Sequence, residues 1–277
     1  MSEEALVDSP FIFRAQAVGA GYSDQEGFLK DINLEIRTGE RVALMGADHL
    51  ARAQLLRVLV GLRLKRAGRL EVLGVEARDL PHYADWDQLL PQSVRRRIGV
   101  CLETEGLLNN VSVREGLELL FRFKYGDHNE KLRQGAAKIV TSTCEKFGLG
   151  KSVEKRPFLL TNAEKRLAGL ARAFLAKPRV LVLENPSQSI GDFHRDKLYR
   201  ALDHMAEQAD RTLLISTEDW ALAWKFCPRW VVLENSQIVF DGPAKDFLHS
   251  NNHLIDQLKS LSKFQDAFAA LLEEVAA

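Results

Sequence analysis

Residues 42–54, VALMGADHLARAQ, carry the outline of a loop that binds phosphate. An apolar strand runs into Gly46 and a helix-like run, LLRVLVGL, follows, which is the strand, loop and helix context that the pattern GxxxxGK[ST] requires. Such a loop turns backbone amides toward phosphate oxygens, adds a lysine charge and offers a hydroxyl to magnesium. Here Gly46 is kept, but the second glycine falls on Ala51, the lysine on Arg52 and the hydroxyl on Ala53. The chemistry expected of this stretch is therefore that of a nucleotide-hydrolysing fold that has given up hydrolysis.

The elements that must position this loop can be read from apolar periodicity. Residues 11–44 alternate apolar and polar in short runs (FIFRAQAV, LKDINLEI, RVALM), which predicts an antiparallel β layer feeding one buried strand. A helix is expected from about 51 to 62, then a strand pair (GRLEVLGVEA) and a buried strand with a basic approach (RRRIGVCLE). From Ser112 to Leu149 the apolar spacing turns helical, through Val113, Leu117, Leu120, Ala136, Val140 and Phe147, with breakers at Gly126 and Gly148. Helix and strand then alternate: EKRLAGLARAFLA, RVLVLEN, RDKLYRALDHMAEQA, TLLIST, WALAWKF and a last strand pair, RWVVLENSQIVFDG. Alternating β and α implies a mostly parallel sheet. Residues 244–277 read as helix.

With 277 residues, 46% of them hydrophobic, the chain can bury one large α/β core or a core with a small subdomain. Lysine plus arginine and aspartate plus glutamate both number 38, so no global field recruits nucleic acid or an anionic membrane. The run RRR at 95–97 lacks interleaved aromatics and adds no nucleic-acid signal. The opening MSEEALVDSP lacks the order of a signal peptide and no apolar run is long enough to span a bilayer, so a cytoplasmic location is expected. Cys101, Cys144 and Cys227 are scattered singly and read as reduced, mostly buried thiols.

The segments, taken in order, resemble the nucleotide-binding subunit of ATP-binding-cassette (ABC) transporters across residues 11–248. Tyr22 followed by FLKDINLEIRTGERVALMG resembles the family's adenine platform and the strand into its phosphate loop. LARAFLAKPRVLVLENPS resembles the helix after the signature and the Walker B strand, and IVFDGP the last strand pair. The resemblance implies an ABC ATPase fold: a RecA-like α/β P-loop core, an antiparallel β subdomain, an inserted helical subdomain at about 104–165, a nucleotide-binding domain over 1–248 and a C-terminal helical extension over 249–277.

The same resemblance assigns the functional positions, and most are altered. His49 stands where a further glycine is usual and Gln54 where a threonine is common, while Asp48 adds a carboxylate. Glu184 ends the Walker B strand in place of an aspartate. Asn185 replaces the general base, and an amide cannot accept a proton from water, a contribution worth roughly 10²–10⁴-fold. Glu103 falls at the Q-loop glutamine and Glu218 at the switch histidine. The signature reads Leu160-Thr161-Asn162-Ala163-Glu164, in which the hydroxyl survives as Thr161 and both glycines are replaced, and the D-loop aspartate falls on Gly191, with Asp192 one place late. The expectation is an inactive cassette with no catalytic residue, Asn185, Glu184, Glu218 and Glu103 being degenerate positions. Tyr22, Gly46, Arg52 and Thr161 remain as vestigial nucleotide contacts, and ATP and magnesium bind weakly or not at all.

Blander readings stand beside these. Arg52 reads as an ordinary helix arginine ahead of a residual phosphate contact, and Tyr22 as a turn aromatic. His49 and His82 have no partner at ligand spacing. Glu103, Glu184 and Glu218 are read as released from duty toward phosphate ahead of a cation site, so no metal is expected. Trp220 and Trp224 share a helix face and read as core.

As a whole the chain reads as a structural or regulatory pseudo-ATPase subunit of a membrane transport complex, peripheral at the inner face of the cytoplasmic membrane. Its alternatives are a slow or partner-dependent ATP-binding ABC ATPase and a cytosolic scaffold no longer tied to transport. The resemblance implies a permease subunit as partner, docking in a groove near Leu107 and Leu108, and a homodimer or heterodimer. EGLLNNVSVREGLELL resembles the corresponding segment of Mla-type and Mce-linked lipid transporters, which implies lipid transport. The stripe Leu254, Leu258, Leu261, Phe264, Phe268 and Leu271 packs on its own domain, forms a dimer contact or docks a small regulatory protein.

Overall fold

A computed structural model describes residues 9–21, 29–79, 89–125, 130–175 and 177–249. The chain divides into two compact units, one formed by residues 1–95 and 212–277 and the other by residues 96–211.

In the first unit, β1 (Phe11–Ala20) pairs antiparallel with β2 (Leu29–Arg37) on one edge and with β4 (Ala67–Val72) on the other, and β4 turns back into the short β5 (Val75–Glu76). β2 shows the alternation read from LKDINLEI, with Leu29, Ile32, Leu34 and Ile36 buried and the intervening residues mostly exposed, so one face covers a core and the other meets solvent. β3 (Arg41–Met45) differs, because Val42, Ala43, Leu44 and Met45 are all buried. A strand covered on both faces reads as a continuous apolar run. It lies parallel to β8 (Thr212–Ser216) on one side and to β9 (Arg229–Glu234) on the other, and β10 (Gln237–Pro243) returns antiparallel along β9.

Among the described residues four helices belong to this unit: α1 (His49–Leu59) after β3, the short α2 (Gln92–Arg95), α7 (Trp220–Phe226) between β8 and β9, and α8 (Ala244–His249). Trp220 and Trp224 of α7 both meet Trp230 of β9, at ring-centroid distances of 5.5 and 6.0 Å, and Phe247 of α8 closes on the same ring at 5.3 Å. The two α7 tryptophans are thus core packing. At the rim, Arg229 forks onto both Asp241 oxygens at 2.7 Å and reaches Glu40 at 2.8 Å, tying β9 to β10 and to the turn before β3.

The second unit holds β6 (Ile98–Cys101) parallel to β7 (Val180–Glu184), with α3 (Val113–Tyr125), α4 (Glu130–Lys146), two 3₁₀ segments, α5 (Asn162–Leu175) and α6 (Asp192–Ala206). Gly99 lets α5 approach β6, since a Cβ there would lie 2.3 Å from the Ala173 carbonyl oxygen. Ser112 caps α3 reciprocally: its hydroxyl accepts from the Glu115 N–H while its own N–H donates to the Glu115 carboxylate. The helical spacing from 112 to 149 is therefore realised as two helices, and the residues assigned to a helical subdomain, 104–165, fall within this unit. The C-terminal stripe from Leu254 to Leu271 lies outside the described residues, as do Tyr22, His82 and Gly126.

Candidate functional site

The phosphate-loop region begins where β3 ends. Gly46 has φ +117°, and a Cβ on it would sit 1.9 Å from the Leu233 carbonyl oxygen, so both the turn and the close passage over β9 require glycine. The chain then enters α1 through Asp48. Its Oδ1 accepts the Ala51 N–H at 2.9 Å, and its Oδ2 accepts the Ser236 N–H at 3.1 Å. Asp48 is thus the N-cap of α1 and a tie to the β9–β10 turn, where the sequence alone placed an uncompensated carboxylate beside phosphate. The His49 N–H is taken by the Ala47 carbonyl at 2.8 Å, and the His49 side chain is exposed.

Arg52 lies one turn into α1 and is only 1% exposed. Its Nη1 donates to the Ser216 hydroxyl at 3.3 Å and its Nη2 to Glu218 Oε1 at 3.1 Å. Ser216 ends β8, and Glu218 stands in the short loop before α7, with its side chain half exposed. That loop is held at its far end by Asp219, whose N–H donates to the Thr217 hydroxyl and whose carboxylate caps α7 at Leu222. Arg52 is therefore neither a solvent-facing helix arginine nor a group standing open toward a ligand. It is a buried cation whose carboxylate partner comes from the switch position. Ala51, Ala53 and Gln54 are buried beside it in α1.

The second unit carries the remaining candidate positions. Glu184, at the end of β7, is 1% exposed, and its Oε2 accepts the Glu103 backbone N–H at 2.8 Å. The Glu103 side chain itself is exposed. Asn185 follows with φ +44°, a left-handed conformation that asparagine tolerates better than most residues.

Arg166 holds both loops and escaped the sequence reading. It is 2% exposed; its Nη1 donates to the Leu102 carbonyl at 2.7 Å, and its Nη2 donates to the carbonyls of Glu184 at 3.1 Å and Asn185 at 3.0 Å. One guanidinium fork therefore spans the ends of β6 and β7. Arg172, one and a half turns later, does the same for Val100 and Glu105, through carbonyl contacts at 2.7 and 3.2 Å, and burial pushes its pKa below the ordinary arginine value. The signal for both was a basic residue at helical spacing on the buried side of EKRLAGLARAFLA.

At the signature position, Thr161 is exposed and acts as a capping residue for α5. Its N–H and hydroxyl both lie on Glu164 Oε2, at 2.8 and 2.9 Å, and the Glu164 N–H returns to the hydroxyl at 3.2 Å. The Ser152 hydroxyl also bonds the Glu164 carboxylate. The Ser152 and Thr161 donors together hold that carboxyl down at about 2. The surviving hydroxyl and the residue at the signature glutamine position are thus engaged with each other. Cys101, Cys144 and Cys227 are buried and free; burial pushes the Cys144 thiol up to about 11 and the Cys227 thiol up to about 12, leaving both unreactive.

The structure thus joins Gly46, Asp48, Arg52 and Glu218 in one unit, and Glu103, Glu184 and Asn185 in the other, with Thr161 on α5. Among the described residues no helix is long and apolar enough to cross a membrane.

A model of the ABC transporter family matches residues 29–188. The phosphonates import ATP-binding protein PhnC 1 of Rhodopseudomonas palustris (strain BisB18) is 27% identical over 84% of this chain and 85% of its own length. The nickel import ATP-binding protein NikO of Rhodobacter capsulatus is 29% identical over 85% of this chain and 91% of its own. Among solved structures, the ATP-binding cassette MJ0796 in a post-hydrolysis state bound to ADP and Pi has a TM-score of 0.73 at 22% identity, covering 83% of this chain and 98% of that one. The fold is therefore the expected ABC ATPase fold.

The expectation of a chain that is no enzyme is corrected by the same relatives: the phosphonates import and nickel import proteins, which match it over 84% and 85% of its length, are named ATP-binding proteins. The physical reason is that residue types at single motif positions do not reveal the backbone geometry and burial around them. The Gly46 turn, the helix that follows it and the buried positive charge of Arg52 survive those changes.

Proposed function

The chain belongs to the ABC transporter family, and from that premise we propose that it is the nucleotide-binding subunit of an import-type transport complex. In this reading it binds ATP weakly by itself and hydrolyses it slowly, and a partner completes the site. The observation that carries the reading is the Gly46 turn leading into α1 with the Arg52 guanidinium buried in its first turns. A cation and a helix N-terminus on one short segment favour an anionic ligand.

Partner dependence follows from what the chain's own residues supply. The Asn185 amide accepts no proton, Ala53 brings no oxygen to magnesium, and the Glu184 carboxylate, the remaining acid at the end of β7, has one oxygen on the Glu103 amide. General-base assistance and metal ligation would then come from a second cassette. The Arg166 fork holds the Glu103 and Asn185 loops in fixed register for such a partner.

The membrane partner in this proposal is a permease that docks near Leu107 and Leu108, the second of which is 47% exposed. The proposed cargo is a lipid, on the strength of the segment EGLLNNVSVREGLELL alone. The test is to recover the tagged full chain from detergent-solubilised membranes and to titrate the purified protein with ATP and magnesium by calorimetry. Recovery of a permease together with saturable, magnesium-dependent binding is expected. No permease and no binding at millimolar ATP would overturn the reading.

A further inference from the structure

We propose that Glu218 is an internal counter-anion that competes with nucleotide phosphate for Arg52 and so sets the affinity of the site. The inference rests on the reading of the chain as a nucleotide-binding subunit and adds to it the residue that tunes binding.

Arg52 is buried, so its guanidinium cannot swing into water to meet a ligand, and whatever anion it binds must come to it. The position is already taken by an anion of the same chain: Glu218 Oε1 lies 3.1 Å from Nη2, while Ser216 contributes a neutral hydroxyl at 3.3 Å from Nη1. Glu218 is the half-exposed member of the pair and sits in a loop of two residues between Ser216 and the α7 cap, so it can withdraw toward solvent at little cost to the core. Arg52 cannot withdraw.

The backbone donors of the same segment are treated in the same way. The Ala51 N–H, one of the first-turn amides of α1 that a phosphate-binding loop directs at its ligand, is satisfied by Asp48 Oδ1 at 2.9 Å. A side-chain donor and a backbone donor are thus each matched to an internal carboxylate. A phosphate entering here exchanges one charge-assisted hydrogen bond for another, and the worth of the internal bond is subtracted from its affinity. Removing the Glu218 charge while keeping an amide of the same shape should raise the affinity for a phosphorylated ligand and leave that for an unphosphorylated one alone.

The experiment is calorimetric titration of the full chain with ATP and magnesium, and separately with adenosine, for wild type, Glu218→Gln, Arg52→Met and the double variant. Glu218→Ala serves as a second variant, and the fold of each is checked by circular dichroism. Glu218→Gln is expected to bind ATP at least ten-fold more tightly than wild type, with adenosine unchanged, and the gain is expected to vanish in the Arg52→Met background. Measurable wild-type binding with equal or weaker binding by both Glu218 variants would overturn the competition and leave the nucleotide-binding reading standing. Tighter binding that persists without Arg52 would also overturn it. Absence of ATP binding by every variant at millimolar concentration would overturn the reading itself, and the competition with it.

Discussion

The Nη2 of Arg52 and Oε1 of Glu218 lie 3.1 Å apart, joining a side chain that is 1% exposed to one that is 50% exposed. The pair links the first turns of α1 to the loop before α7, so the two candidate positions that the sequence leaves unrelated are direct partners. Glu218→Gln keeps an acceptor but removes the charge, and Ser216 remains on the other arm of the fork. Because half of Glu218 faces water, the loss of stability should be modest, about 1 kcal/mol, or roughly 2–4 °C in Tm. Urea unfolding of the ligand-free protein checks this; unchanged stability would mean that solvent already screens the pair.

Gly46→Ala should be far more damaging. The backbone is left-handed, and the added Cβ meets the Leu233 carbonyl oxygen at 1.9 Å, so β9 or the loop must move. A loss of at least about 3 kcal/mol is expected from strain and displacement together. A thermal melt that matched wild type would show that the turn can re-form without the close approach.

Arg166→Met should loosen both loops that the fork spans. Three backbone carbonyls, those of Leu102, Glu184 and Asn185, lose a charged donor, and a loss of about 2–4 kcal/mol is expected. Arg166→Lys should recover only part of it, because an ammonium lacks the planar fork that reaches two loops at once. Hydrogen exchange at the amides of residues 102–105, 185, 187 and 188 reads the effect directly; protection equal to wild type in Arg166→Met would contradict it.

The Glu164 carboxyl is lowered from its usual 4.5 to about 2 by the Ser152 and Thr161 donors, so the native state holds it ionised where the unfolded chain would protonate it. The unfolded state then binds more protons between those two values, and stability must rise with pH across that window. This contribution is fully present above about 4.5 and is lost as the pH falls toward about 2. Glu164→Gln should flatten the acid limb of the stability profile between those limits and leave the neutral region's slope unchanged. An acid limb identical to wild type would place the proton uptake elsewhere.

Much of the fold was legible because apolar spacing is set by burial. The run VALM marked β3 as covered on both faces, the alternation in LKDINLEI marked β2 as a half-covered strand, and the helical spacing from Val113 to Phe147 marked α3 and α4. Side-chain duties were harder to read, since they depend on partners distant in sequence. Asp48 is a carboxylate within a phosphate-loop pattern, and residue types do not reveal that its two oxygens accept the Ala51 and Ser236 N–H groups.

The capping pair Thr161 and Glu164 was visible in principle, as a threonine followed three places later by glutamate ahead of an apolar run. That pair lies within the five residues that the signature pattern occupies. Arg166 gave a fainter signal, a basic residue on the apolar side of a helix, because its acceptors are backbone carbonyls that leave no trace in residue types.

The rate of phosphate release from ATP and magnesium decides whether the chain is a nucleotide-binding subunit whose turnover a partner completes. That rate is to be measured for the full chain alone and in the complex recovered with its permease. Slow release is expected of the chain alone, well below the roughly 10 s⁻¹ median of enzymes, with a rise of at least ten-fold in the complex and loss of that rise with Arg52→Met. An equal rate in both preparations, or a rise in the complex that Arg52→Met leaves intact, would contradict this expectation.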